Sequence, residues 1–364
     1  MTTGRRLMVG AAAPALAFVV AALVTSLVLL TAGDSPADFW RVLLSAPDPR
    51  DYVAIANATA VLYLSGLAAA IGFRMNLFNI GVEGQYRVAT FAGAVFAGQA
   101  LLPGALNTVA TILVAMAAGA AWAGIAALLR VLRGVSEVIS TIMLNAIAVS
   151  LVAYLLQKVG QRQGETFRTD TIPESSWVPS FPLLPGESSQ VYGLALLAVV
   201  AGVSFTVLLN RTRFGFDLRA TGHSESAAVA SGVDVRRMVV YSLLLSGAVA
   251  GLIGMPELFG GSHAYGSTIQ TGIGFTGIAV ALLGRNNPWG IAVAALIFAY
   301  LNQQASPLGV TADISTEIIA VTQGVVVLSV VIAYEVVRRY RVRAEQAEVA
   351  RQLRRERGAQ AVSP

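Results

Sequence analysis

Long runs of apolar residues, separated by short polar segments, occupy the chain from residue 7 to residue 337. Most runs are long enough to cross about 30 Å of hydrocarbon, which takes a helix of about 20 apolar residues. The pattern predicts about ten transmembrane helices, near residues 7–30, 55–73, 86–102, 108–129, 135–157, 191–209, 239–258, 271–283, 289–303 and 316–337. The runs at 271–283 and 289–303 are short and are either full spans or half-helices. The predicted fold class is an all-α, polytopic membrane helix bundle.

One polar segment, MNLFNIGVEGQY at residues 75–86, lies between two of these runs. It is either a solvated turn whose carboxylate caps a helix, or broken helix at membrane depth. Broken helix is tolerated there only where it is buried in protein or lines a water-filled cavity. We favour the second interpretation, because an ionisable side chain such as Glu83 is costly in a membrane and usually faces a pathway.

A second polar set lies inside the run at 135–157. Glu137, Thr141 and Asn145 are spaced i, i+4, so they share one face of a helix. Such a stripe either lines the same pathway or only forms hydrogen bonds between helices. The predicted substrate-pathway residues are Asn76, Asn79, Glu83, Gln85, Glu137, Thr141 and Asn145.

Composition removes several functional classes. Only 12% of the residues are charged and 55% are hydrophobic, whereas soluble domains carry about 25% charged residues. The chain has no cysteine, which excludes a disulfide framework and a thiolate metal site. Its sole lysine, Lys158, is not part of a phosphate-binding GxxxxGK[ST] loop. The GxGxxG pattern at 272–277 follows no strand and is better explained by close helix packing, as is the pair Gly247 and Gly251.

The distribution of the arginines predicts the topology. Basic residues concentrate in alternate connecting segments, which places both termini in the cytoplasm under the positive-inside rule. The net charge of +5 therefore reflects membrane topology rather than nucleic-acid binding. A long extracellular loop is predicted at 159–190 and the only long cytoplasmic loop at 210–238. An Arg-rich tail at 338–364 follows, whose basic residues would be attracted to anionic headgroups.

The cytoplasmic loop contains a short predicted helix. Residues 221–224 are a helix-start signal, residues 225–231 are small and Ala-rich, and Gly232 is a suitable stop. The result is a helix of about eight residues with an alanine face at Ala227, Ala228 and Ala230. Small side chains permit close approach, so the helix fits either a groove on another protein or the headgroup surface.

Three motifs resemble a known family: NLFNIGVEGQ at 76–85, SEVISTIMLN at 136–145 and GIGFTGIAVALLGRNNPWG at 272–290. They are similar to permease subunits of bacterial ABC importers of the ribose, branched-chain amino acid and nucleoside group. FNIGVEGQ is most similar to the nucleoside branch, which is linked to basic membrane proteins. The resemblance covers about residues 55–337. Ala146 departs from it, since an aromatic residue is expected after Asn145.

The resemblance implies a ten-helix permease with a fold like that of the vitamin B12 importer. It implies that a second permease chain, expected to be a different one, completes the channel. It also implies ATP-binding subunits below the channel and an extracellular solute-binding lipoprotein. The loop helix would then be the coupling helix. The residues expected to couple it to the ATPase are Arg219, Ala220, Gly222, Ser224, Ala227, Ala230 and Gly232.

The predicted function is the membrane-spanning subunit of an ATP-driven importer in the bacterial plasma membrane, most similar to importers of nucleosides. One permease domain would span residues 1–337. Neither a catalytic nor a metal-binding residue is expected, because ATP and Mg²⁺ would bind the partner ATPase. The nearer alternative is the same machine importing ribose, another sugar or branched-chain amino acids. The more distant alternative is an ion-coupled secondary transporter or a membrane-embedded enzyme.

Overall fold

The computed structural model describes residues 3–186 and 188–360. Residues 1–2 of the predicted permease domain, residue 187 of the predicted extracellular loop and residues 361–364 of the predicted tail lie outside this description. The helices, numbered in chain order, are α1 Thr3–Ala32, α2 Pro36–Leu43, α3 Pro49–Arg74, α4 Val82–Gly98, α5 Gly104–Arg133, α6 Glu137–Val159, α7 Leu196–Arg211, α8 Arg213–His223, α9 Glu225–Ala230, α10 Val235–Ala250, α11 Met255–Glu257, α12 Ile273–Leu283, α13 Pro288–Gln303, α14 Ala305–Thr311 and α15 Glu317–Gln360.

The chain forms two compact units. One comprises Met1–Leu44 and Ala305–Pro364, and the other comprises Ser45–Gln304. In the first unit α1 packs along α15, and the indole of Trp40 donates a 2.9 Å hydrogen bond to Ser26 Oγ. α15 continues without a break past residue 337, where the predicted tail begins. The division into a permease domain and a tail stays a prediction.

Within the described residues, seven helices are long and apolar enough to cross a membrane, judged by length and composition. α12, Ile273–Leu283, is apolar but shorter, as is the apolar stretch Leu16–Ala32 of α1. α4 has 17 residues and carries Glu83 and Arg87, which lower its hydropathy. The chain is therefore a multi-pass membrane protein, and the count of about ten spans stays a prediction.

The unit Ser45–Gln304 is built around α3, which packs against α12, α13, α10 and α7. α5 packs closely against α10 and α4. A Cβ atom at Gly119 or Gly247 would overlap the backbone of the other glycine. The two helices therefore approach backbone to backbone, as the spacing of Gly247 and Gly251 predicts.

The segment between α6 and α7 contains the only strands in the described residues, β1 Gln161–Gln163 and β2 Thr166–Arg168. They form an antiparallel hairpin with Gln161 opposite Arg168. Arg168 donates a hydrogen bond to the Ser262 carbonyl oxygen. The ring of Trp177 stacks on His263 with 3.8 Å between centroids. These contacts fasten the predicted extracellular loop to the residues that follow α11.

Candidate functional site

The polar segment at 75–86 is a buried turn followed by the first turn of α4. α3 ends at Arg74, the backbone of Asn76 is left-handed at φ 59°, and α4 begins at Val82. The Asn79 amide fixes the turn, because its Nδ2 donates to Ser246 Oγ at 2.8 Å and its Oδ1 accepts from the Gly81 N–H at 2.9 Å. The Asn79 side chain also pairs with the Gln85 amide, at 3.1 and 3.2 Å.

Asn145 holds the same turn from α6. Its Oδ1 accepts from the Gly84 N–H at 2.9 Å, and its Nδ2 donates to the Ile80 carbonyl at 2.8 Å. One turn earlier, the Thr141 hydroxyl donates to the Glu137 carbonyl at 2.7 Å. All three α6 side chains are buried. The stripe predicted on this helix therefore faces the bundle and not the lipid.

Glu137 secures the beginning of the turn. Its Oε1 accepts from the Phe78 N–H at 3.4 Å, and its Oε2 lies 3.5 Å from Arg130 Nε. The Glu137 side chain is 8% exposed, whereas that of Arg130 is 40% exposed. The pair thus lies at the edge of the bundle, with the arginine reaching outwards.

Glu83 joins α4 to the start of α12. Its Oε1 accepts from Arg87 Nε at 2.7 Å and from the Gly272 N–H at 2.9 Å, and its Oε2 accepts from the Gly274 N–H at 2.8 Å. The carboxylate thereby caps the first turn of α12, whose free N–H groups carry partial positive charge. A Cβ atom at Gly274 would overlap the Glu83 backbone, so only glycine permits this approach.

Six of the seven predicted pathway residues therefore share a buried network of helix ends and one turn; the exception is Asn76. Within this network each of the six has a partner in the protein. None of the seven lines the polar cavity that adjoins this network. Their direct contact with substrate stays a prediction.

A polar cavity of about 400 Å³ lies beside this network, inside the unit Ser45–Gln304. Its volume falls within the roughly 300–1,000 Å³ typical of small-molecule sites. The hydroxyl of Tyr86, which lines the cavity, donates a 3.0 Å hydrogen bond to the Gln270 carbonyl and so fixes one wall. The polar lining residues are Asn57, Tyr86, Tyr192, Glu257, Gln270, Thr271, Thr276, Asn302 and Gln303.

A break in the helix after α10 directs Glu257 into the cavity. α10 ends at Ala250, Pro256 lies in the short α11, and the backbone then continues as a π-helical segment, Leu258–Ser262. Proline lacks a backbone N–H and interrupts a helix, and π-helical segments recur at functional sites. Glu257 is half-buried, and its carboxylate accepts a hydrogen bond from the Tyr192 hydroxyl.

Sequence reasoning missed most of this cavity. Glu257 and Gln270 could be recognised as polar residues near a helix end. Asn57 is an isolated polar position within a long apolar helix, and Asn302 begins a short polar run at the end of α13. The sequence indicates only that Asn57 and Asn302 face the protein interior, as polar residues on apolar helices do. Which of them meet depends on the packing of α3 against α13, and periodicity does not encode this packing.

The predicted cytoplasmic loop contains two helices rather than one. α8 was not predicted, and α9 has six residues instead of about eight. Ser224 caps α9 by accepting from the Ala227 N–H at 3.3 Å, and Gly232 follows in a left-handed conformation at φ 82°. The predicted alanine face is also wrong in one position, because Ala228 is 2% exposed and packs inwards.

The exposed surface of α9 presents Ala227 and Ala230. At the end of α8, a Cβ atom at Gly222 would overlap the Arg74 carbonyl oxygen, so this helix lies directly on the end of α3. Arg219 donates a hydrogen bond to the Leu209 carbonyl and fastens α8 to α7. An open depression of about 500 Å³ adjoins these helices, and Asn76, Gly222 and Ser224 line it.

Comparison with known proteins identifies the family. Residues 52–333 match the model for the branched-chain amino acid transport system / permease component. The chain belongs to this family. It is a permease component and not an enzyme, and neither an ion-coupled transporter nor a membrane-embedded enzyme is compatible with this membership.

Several curated relatives are similar over most of their length. The guanosine ABC transporter permease protein NupP of Bacillus subtilis is 33% identical, over 89% of this chain and 93% of that protein. The glucose ABC transporter permease protein TsgB13 of Haloferax volcanii is 32% identical, over 77% and 76%. The nucleoside ABC transporter permease protein NupB of Lactococcus lactis is 31% identical, over 75% and 77%. The chain is thus an ABC transporter permease, a subunit that works with an ATP-binding subunit and another permease.

Proposed function

We propose that this permease takes up nucleosides across the plasma membrane of a bacterium. The observation that carries the proposal is the similarity, over three quarters of the chain or more, to permeases named for guanosine and for nucleosides. The cavity agrees with such a cargo, because amide, hydroxyl and aromatic groups dominate its polar lining. A neutral sugar–base substrate needs hydrogen-bond partners and an aromatic surface rather than a matching charge.

The proposed transporter contains three kinds of partner: an ATP-binding subunit, a second permease and a solute-binding lipoprotein. ATP and Mg²⁺ bind the separate ATP-binding subunit, since the sequence contains no phosphate-binding loop. That subunit docks at α9 and at the depression lined by Gly222 and Ser224. A second, different permease chain completes the channel. A solute-binding lipoprotein delivers the nucleoside at the extracellular loop, 159–190, and both termini lie in the cytoplasm.

Coupling passes from α9 to α3. Closure of the ATP-binding subunits displaces α8 and α9, and Gly222 transmits the displacement to the end of α3 because no side chain separates the two backbones. The coupling residues are Arg219, Ala220, Gly222, Ser224, Ala227, Ala230 and Gly232. The turn held by Asn79, Gln85 and Asn145 directly follows α3, so it moves with that helix and reshapes the adjoining pathway. Such coupling requires a free-energy difference between two bundle states.

The test is uptake of radiolabelled guanosine and adenosine by cells with and without this chain. We expect uptake to fall on deletion, to return on complementation, and to be competed by unlabelled nucleosides but not by glucose, ribose or leucine. If deletion instead lowers only the uptake of labelled glucose or ribose, the cargo is a sugar, which the relative from Haloferax volcanii makes the relevant alternative. Unchanged uptake of every nucleoside on deletion would refute the proposal.

A further inference from the structure

The cavity beside α4 carries one formal charge, on Glu257. Among the described residues no arginine, lysine or histidine lies within ion-pair distance of this carboxylate. Within the described part of the chain, its side-chain hydrogen-bond partner is the Tyr192 hydroxyl. A carboxylate offers about four acceptor positions, so the Tyr192 hydroxyl occupies only a part of its hydrogen-bonding capacity, and Glu257 lines the cavity. A half-buried carboxylate is stabilised when a ligand or water supplies further donors.

The surroundings hold the Glu257 side chain in place. The Asn57 amide donates to the Gln190 carbonyl at 3.2 Å and accepts from the Tyr192 N–H at 2.9 Å, which positions the Tyr192 backbone. The ring of Tyr192 then packs against the π-helical segment, where a Cβ atom at Gly260 would overlap it. A Cβ atom at Gly261 would come within 2.7 Å of the Tyr192 hydroxyl and 2.9 Å of Glu257 Oε1.

These contacts hold the Glu257 carboxylate, a hydrogen-bond acceptor, in place through Tyr192. Tyr192 is oriented by Asn57, is accommodated by two glycines and donates to the carboxylate. The Glu257 side chain lines the cavity, and these contacts restrict its orientation there. Pre-orientation of this kind reduces the entropy lost on binding and favours a ligand whose donors match the spacing of the two oxygens.

Nucleobases differ in what they offer to a carboxylate. Guanine presents two parallel donors, N1–H and the 2-amino group, to its two oxygens. Adenine presents a donor, the 6-amino group, beside an acceptor, N1, which faces a carboxylate oxygen unfavourably. Adenine instead matches the donor and acceptor pair of an amide. A neutral purine with two parallel donors is therefore the best complement of Glu257.

We propose that the cavity binds the substrate of this permease and that the Glu257 carboxylate selects guanine nucleosides by accepting hydrogen bonds from N1–H and the 2-amino group. The inference rests on the proposed uptake of nucleosides and adds the base preference and the residue responsible. Tyr192 is a positioning residue that orients the carboxylate. Tyr86 and Gln270 form the adjoining wall of the cavity.

The experiment compares uptake of guanosine and adenosine in cells that carry the complete transporter with the wild-type chain or with Glu257→Gln. The substitution keeps the shape of the side chain and replaces two acceptors by one acceptor and one donor. We expect the ratio of guanosine to adenosine uptake, measured as kcat/KM, to fall about tenfold to a hundredfold. Because the partner proteins are the same in both strains, a change in the ratio originates in this chain.

Two further variants make the result decisive. Tyr192→Phe keeps the ring packed on Gly260 and removes only the hydroxyl, so the ratio is expected to fall by less. Glu317→Gln makes the same chemical change at an exposed position at the start of α15, outside the cavity and the loop 159–190, and its ratio is expected to equal that of the wild type. The amount of each variant in the membrane is measured by immunoblot.

The outcomes separate the two proposals. If the wild type transports no nucleoside, the proposed function is wrong and this inference falls with it. If the wild type transports nucleosides but Glu257→Gln or Tyr192→Phe, inserted at the wild-type level, leaves the ratio unchanged, the base assignment is overturned and the function stands. Equal loss of guanosine and adenosine uptake also overturns it, because the carboxylate would then bind the ribose hydroxyls or serve only the fold.

Discussion

Replacing Glu83 by glutamine tests whether this carboxylate is a structural cap or a substrate contact. The Glu83 side chain is 3% exposed and accepts three hydrogen bonds, one of them from Arg87, which is itself only 17% exposed. A glutamine oxygen placed where Oε1 lies keeps two of the donors without the charge. The third donor, the Gly274 N–H, then faces an amide NH₂ group.

The expected cost follows from those contacts. A buried N–H without a partner costs about 1–3 kcal/mol, and hydrogen bonds lose about 1 kcal/mol each when the acceptor is no longer charged. Leaving one member of a buried ion pair without its partner costs about 3–5 kcal/mol in other proteins. We therefore expect Glu83→Gln to lower the free energy of unfolding by about 3–5 kcal/mol.

The assay combines stability with transport kinetics. Unfolding of the purified chain in mixed micelles, followed by tryptophan fluorescence, gives the change in free energy, and uptake gives KM. Glu165→Gln, at an exposed turn, is the matched control and is expected to stay within about 0.5 kcal/mol of the wild type. A double-mutant cycle with Arg87→Gln isolates the pair, for which a coupling energy of about 0.5–3 kcal/mol is expected. Wild-type stability together with a raised KM would refute the cap and favour direct contact with substrate.

Three further variants test the coupling surface and the cavity. Ala230→Arg adds bulk and charge to the exposed face of α9, so uptake should be lost while membrane insertion stays normal. Uptake at the wild-type level would show that α9 does not contact the ATPase. Gly222→Val forces a side chain against the Arg74 carbonyl, and we expect ATP hydrolysis by the complex to persist while uptake falls at least tenfold. Gly260→Ala pushes the Tyr192 ring away, which should raise KM for nucleosides more than it lowers kcat; an unchanged KM would show that the ring position is irrelevant.

The sequence predicted the local features of the fold better than the contacts between distant helices. The stop at Gly232 and the cap at Ser224 were predictable, because glycine at φ 82° and a capping hydroxyl are local preferences. α8 was missed because its arginines and short length gave no apolar periodicity. The carboxylate of Glu83 was expected to cap a helix in one of the two interpretations, yet the helix it caps, α12, begins 190 positions later, and pattern analysis cannot supply that pairing.

The same limit applies to the polar residues of the site. Asn79, Thr141 and Asn145 were correctly grouped as inward-facing, because exposing polar side chains to lipid is costly. Whether an inward-facing residue binds substrate or forms hydrogen bonds to other parts of the protein depends on the groups that lie next to it in the fold. For Asn79 and Asn145 those partners are backbone groups of the turn, together with Ser246 and Gln85.

α3 has a consequence for the energetics of the proposed transporter. Asn57 lies at the cavity and Arg74 lies beneath Gly222, about 25 Å apart along one uninterrupted helix at 1.5 Å per residue. If this helix transmits displacement between the two proposed sites, their binding equilibria are thermodynamically linked, and linkage between equilibrium affinities is reciprocal. If ATP-driven closure weakens nucleoside binding by some factor, a bound nucleoside must oppose closure by the same factor. The ATP concentration needed for half-maximal closure should therefore rise with cargo trapped in the cavity.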